Sequence, residues 1–80
     1  MIDEFYIEQL NPNDSEFLVV EINFLNYSLV EKGDLLFLIE GQKAAVEVYS
    51  KKSGYIATPF KEGDYIQVED VCYLISTDES

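Results

Sequence analysis

Eighty residues, 48% of them apolar and including six Tyr and five Phe, suffice for one compact core and are too apolar for a disordered chain. A domain of this length buries only about 60% of the surface that its unfolded chain exposes, which leaves little room for a deep catalytic cavity. Sixteen acidic residues against five lysines, without arginine or histidine, give a formal charge of −11, which argues against nucleic acid or an anionic membrane as a partner and favours basic docking surfaces.

The opening "MIDEFYIEQL" has neither a basic n-region nor a long apolar h-region, and no later apolar run approaches membrane-spanning length, so the chain reads as cytoplasmic. From there, eight short extended segments follow in order: 5–8, 17–23, 29–31, 35–40, 44–49, 55–60, 65–68 and 71–76. Turn signals separate them: "NPND" at 11–14, "NYS" at 26–28, "EKGD" at 31–34, "KKSG" at 51–54 and "KEGD" at 61–64. Pro12 suits a loop, and Pro59 an edge or strand end, because proline cannot donate to a sheet ladder. The pattern predicts one all-β domain over residues 1–80, a sandwich or barrel, monomeric, with a short acidic tail at 77–80.

Sliding residues 18–39 forward by 36 positions sets Phe24 on Phe60, Asp34 on Asp70, Leu38 on Leu74 and Ile39 on Ile75, with Val20 meeting Ile56 and Val30 meeting Ile66. Most of these positions are apolar and at strand spacing, so the repeat predicts two similar four-stranded halves related by a pseudo-twofold. The Gly-Asp pairs of "EKGD" and "KEGD" do not superpose under this shift. After Ile39 the first half continues into a further turn, whereas after Ile75 the second half runs out in "STDES".

Catalytic machinery is sparse. Without histidine there is no Ser-His or Cys-His pair and no imidazole acid or base, and the isolated glycines form no phosphate loop. Cys72 is the only cysteine, which excludes an intramolecular disulfide; its setting in "VCYLI" predicts a core residue rather than a reactive thiol. Glu69 and Asp70 read as a solvated turn. No metal ligands and no catalytic residues are assigned, so an enzyme is not expected.

One lysine stands apart by its setting. In "LIEGQKAAVEV" a polar break, Glu40 to Lys43, joins two strand-like segments, and its glycine suits a hairpin connection. A lysine at such a tip projects its amine into water.

The segment "IEGQKAAVEVYSKKSGYI" resembles the lipoyl attachment segment of 2-oxo acid dehydrogenase acyltransferases, where Glu-x-Asp-Lys-Ala is followed by x-x-Glu-Val, a serine and Gly-x-Ile. "FKEGDYIQVEDVCYLI" is similar to that family's second turn and closing strand, and "VVEINFLNYSLVEKGDLLFLIE" to its first half, so the resemblance covers nearly all of residues 17–76. It implies a barrel-sandwich hybrid, a flattened β-barrel of two four-stranded sheets. It further implies a swinging-arm carrier with lipoic acid amide-linked to Lys43, and with Glu40, Gln42 and Ala44 read by a lipoate ligase or lipoyl transferase. The partners implied are 2-oxo acid dehydrogenase-type enzymes and dihydrolipoyl dehydrogenase. Three positions depart from the pattern: Gln42 stands for aspartate, "LNYS" for the Lys-Glu-Gly-Asp of the first turn, and Lys51 for the proline after the serine. Biotinyl domains flank their lysine with methionines, and Met1 is the only methionine here, so biotin is the less favoured cofactor. An unmodified interaction module on the same fold is the remaining alternative.

Overall fold

The computed structural model describes residues 1–8 and 14–77. The "NPND" turn, apart from Asp14, and the acidic tail beyond Thr77 lie outside the described residues. Eight strands, and no helix among the described residues, form in chain order: β1 (Ile2–Phe5), β2 (Glu16–Ile22), β3 (Leu29–Val30), β4 (Leu35–Glu40), β5 (Ala45–Tyr49), β6 (Gly54–Ala57), β7 (Tyr65–Gln67) and β8 (Tyr73–Ser76). They pair antiparallel in two four-stranded sheets, ordered β1-β8-β6-β3 and β5-β4-β2-β7. No ladder joins the sheets among the described residues, so the architecture is a flattened sandwich rather than a closed barrel.

The strand orders carry the symmetry. Advancing β2, β3 and β4 by 36 residues lands on β6, β7 and β8, and exchanging these pairs, with β5 for β1, converts one sheet order into the other. The turns follow the same rule. At 31–34 the Glu31 N–H donates to the Asp34 carboxylate (2.9 Å) and the Asp34 N–H to the Glu31 carbonyl (3.0 Å); at 67–70 Gln67 and Asp70 repeat both bonds at 3.0 Å. Asp70 therefore closes a turn. "LNYS" at 25–28 is the counterpart of "KEGD" at 61–64, and Tyr27, at φ 70°, takes the left-handed place that Gly63 takes at φ 96°.

Burial explains why the halves share an apolar pattern. A register shift between Leu35 and Phe37 lets Leu36 and Phe37, neighbours in sequence, both point inward, where strict alternation would expose one of them. Cys72 and Tyr73 are buried as the corresponding consecutive pair, so Cys72 fills Leu36's place in the other half. Around them pack Val19, Val30, Ile39, Ile56, Ile66 and Ile75, all buried. The rings of Phe5 and Tyr73 stack at 4.9 Å, and Phe24 meets Phe37 edge-on at 5.3 Å.

Three details depart from the sequence-based expectation. The first strand is Ile2–Phe5 rather than 5–8, because its ladder runs against β8 from Ile2↔Ser76 to Phe5↔Tyr73; Ile7 is buried without being in a strand. Val19, not Val20, is the counterpart of Ile56: a bulge between Val19 and Glu21 adds one residue and leaves Val20 exposed. β6 stops at Ala57, short of Phe60. The first half uses the Asn23 N–H to bond the Leu36 carbonyl (2.9 Å), but its counterpart Pro59 has no N–H, and the Thr58 hydroxyl donates to the Cys72 carbonyl instead (2.8 Å).

Tyr27 is 79% exposed, so its aromatic ring contributes little while its backbone carries the cost of a left-handed conformation. Tyr27→Gly is expected to raise stability by up to about 1 kcal/mol, the relief of strain exceeding the entropy that glycine adds to the unfolded chain. A urea midpoint that falls, with the transition slope unchanged, would contradict this.

Candidate functional site

β4 and β5 pair from Leu35↔Tyr49 to Glu40↔Ala45, and the chain reverses through residues 41–44, closed by the Gly41 N–H donating to the Ala44 carbonyl (2.9 Å). Under the pseudo-twofold this closure corresponds to the Thr77 N–H bonding the Met1 carbonyl (3.1 Å). Among the described residues, β4 and β5 are the one pair of consecutive strands that also pair in a ladder, so a tip of this kind occurs once there. β5 leads away from the tip, and only beyond it does Gly54 meet Ile75 and Ser76, which puts the tip and the end of β8 at opposite ends of the sandwich.

Glu40, Gln42, Lys43 and Ala44 are all exposed on this tip. Lys51 and Lys52 are held by Glu8 and Asp3, whereas Lys43, like Lys32 and Lys61, makes no ion pair with a described residue. Lys32 and Lys61 also sit on held turns, their own N–H groups donating to Ser53 Oγ (2.9 Å) and to the Asp64 carboxylate (2.8 Å), so what separates Lys43 is its place at the tip of a hairpin between paired strands. Asp14, 5% exposed, accepts the Gln42 N–H on Oδ1 at 2.9 Å. Gly41 is needed for proximity and not, as a hairpin glycine suggests, for a left-handed backbone: its φ is ordinary, but a Cβ would lie 2.9 Å from the Asp14 carboxylate and 3.0 Å from the Phe17 ring. Asp14 was legible in sequence only as part of a turn signal, since its partner lies 28 residues away.

The departures at 42 and 51 also have local physical accounts. The Lys51 N–H, which a proline would lack, donates to the hydroxyl of buried Tyr73 at 3.3 Å. Gln42 places a neutral side chain on the residue whose backbone meets the Asp14 carboxylate.

The surroundings are acidic and open. Strand registers set Glu40 in the row Tyr65, Leu18, Glu40, Ala45 and Glu47 in the row Glu21, Leu38, Glu47 on the outer face of this sheet. The Tyr49 hydroxyl donates to Glu47 (2.9 Å), and that bond holds the phenol above its ordinary pKa. A solvent-open groove of about 560 Å³ is lined by Val46, Val48 and Tyr49 of β5 together with Ile7 and Tyr73. At the tip itself, the exposed Lys43 side chain offers an accessible primary amine.

Cys72 lies in the core, where burial pushes its thiol up to about 12. No family model matches this sequence, and no curated protein matches it either.

Two outcomes follow from these environments. Gly41→Ala is expected to destabilise the fold by about 1–3 kcal/mol, because the new methyl must displace a buried carboxylate or a buried ring; an unchanged urea midpoint would contradict the close approach. A thiol-disulfide reagent at pH 8 should label Cys72 only when the protein unfolds, and stability should fall as pH rises from the ordinary thiol range near 9 toward about 12, because the folded state keeps a proton that the unfolded state has lost. Rapid stoichiometric labelling of the native protein would refute the assignment.

Proposed function

We propose that this domain is a non-catalytic swinging-arm carrier, with lipoic acid amide-linked to the amine of Lys43. The observation that carries the reading is the placement of Lys43: exposed, at the tip of the one hairpin between consecutive paired strands among the described residues, next to the Gln42 peptide that Asp14 braces. Glu40 three residues before it and Ala44 directly after it are exposed beside it, within reach of a lipoate ligase or lipoyl transferase. An amine does not condense with a free carboxylate unaided, so the ligase supplies an activated lipoyl group.

When bound, the dithiolane supplies acyl transfer and redox chemistry, while the domain supplies position and high local concentration for a tethered group moving between active sites. The acidic outer face around Glu21, Glu40 and Glu47 suits basic docking surfaces on 2-oxo acid dehydrogenase-type enzymes and on dihydrolipoyl dehydrogenase. In this reading the chain works as a monomer in the cytoplasm. Biotin on Lys43 is the less favoured alternative, since Gln42 and Ala44 stand where biotinyl domains carry methionine.

Incubation with a lipoate ligase, lipoic acid and ATP should add the mass of one lipoyl group, and Lys43→Arg should abolish the gain with the circular dichroism unchanged, because arginine keeps the charge without a comparable nucleophile. Gln42→Asp should raise the initial rate while altering stability by no more than about 0.5 kcal/mol, the usual range for an exposed substitution. Label on another lysine with Lys43 untouched would refute the site. Efficient biotinylation without lipoylation would transfer the assignment to biotin, and failure of every version with the fold intact would leave an interaction module.

A further inference from the structure

Asp14 lies 28 residues before Gln42 in sequence, yet its carboxylate meets the backbone beside Lys43. Because Asp14 is 5% exposed, a modifying enzyme cannot read its charge directly. What the carboxylate can do is hold the backbone, and it does so at the first peptide of the reversal: Oδ1 accepts the Gln42 N–H at 2.9 Å, one peptide away from the lysine. The contact is fitted on both sides. Gly41 supplies the clearance, since a Cβ there would strike the Asp14 carboxylate at 2.9 Å and the Phe17 ring at 3.0 Å, and Phe17 is itself a core residue of β2. The tip is therefore clamped to the sandwich from beneath by a charge-assisted hydrogen bond, in addition to its own Gly41 to Ala44 closure.

We propose that Asp14 is a positioning residue for Lys43: by fixing the Gln42 peptide it presents the lysine amine in one orientation to the enzyme that modifies it. This rests on the carrier reading for its consequence, though not for its geometry. Without the clamp the tip must be ordered at the moment of docking, and the cost falls on binding rather than on the chemical step. Loss of Asp14 should then raise KM for the domain as ligase substrate and leave kcat nearly unchanged, whereas a general loss of folded protein would lower the apparent kcat at fixed total protein.

The test uses the 80-residue chain, with Asp14→Ser, whose hydroxyl is too short to reach, Asp14→Ala, and the conservative Asp14→Asn, whose amide oxygen can still accept. Amide hydrogen exchange of Gln42 is read by NMR, with Ile39 and Val46 as internal controls. Exchange at Gln42 should quicken roughly tenfold or more in the Ser and Ala variants, the scale of one charge-assisted bond, and stay slow in Asp14→Asn. KM in the lipoate ligase reaction should rise by a similar factor in the same two variants and recover in Asp14→Asn. Equal Gln42 exchange in all four proteins would overturn the clamp. Faster exchange with an unchanged KM would overturn the positioning role. If one variant does not fold, as the control amides would show, the other decides. If the unsubstituted chain accepts no lipoyl group, the carrier reading and the presentation role fall together, and the exchange data still decide whether the clamp exists.

Discussion

Two adjacent inward-facing side chains in each half, Leu36 with Phe37 and Cys72 with Tyr73, are the constraint on which the rest of this molecule depends. A strand alternates its faces, so burying neighbours requires the ladder to slip, and the register shift between Leu35 and Phe37 is that slip. The aromatic members then fill the space between the sheets, Phe37 meeting Phe24 and Tyr73 meeting Phe5. In the second half the same consecutive burial is reached without a slip, because Cys72 lies just before β8, which begins at Tyr73. Tyr73 adds a polar handle, its hydroxyl taking up the Lys51 N–H.

The symmetry makes the hairpin informative. Among the described residues, β4 and β5 are the one pair of consecutive strands that are also ladder partners, and the Thr77 to Met1 bond stands where the Gly41 to Ala44 bond closes their tip. Lys43 occupies that tip. The outer faces differ as well. Around the hairpin sheet stand Glu21, Glu40 and Glu47, whereas the outer rows of the opposite sheet, Leu29, Tyr55, Ser76, Ile2 and Ala57, Leu74, Glu4, carry one acid, Glu4. The net acidity is therefore unevenly spread, and the sheet that carries the tip is also the one suited to a basic partner.

The edge of the first sheet shows how the fold protects itself. Asp3 falls on the core-facing row with Ile56 and Ile75, an inward charge on an edge strand, and Lys52 neutralises it across the sandwich. Such a charge discourages another strand from extending the sheet, a device suited to short edges.

Much of the architecture was legible in the residues themselves. Apolar runs cut by polar turns locate eight strands, and Asp34 and Asp70 mark equivalent turns whose bonds are local, spanning three residues. The tip at Lys43 was legible for the same reason, as a polar break between apolar segments. What the sequence alone determined is whatever depends on neighbours along the chain: strand existence, turn chemistry and the inward place of Cys72. Only the tertiary structure decided features that depend on partners far apart in sequence. The bulge that makes Val19 the counterpart of Ile56 is set by the ladder opposite it, and the first strand by β8. Asp14 beneath Gln42, the fit of Gly41 against Phe17 and the Thr58 hydroxyl standing in for the N–H that Pro59 lacks all arise when separate segments meet, and no local periodicity encodes which segments those are.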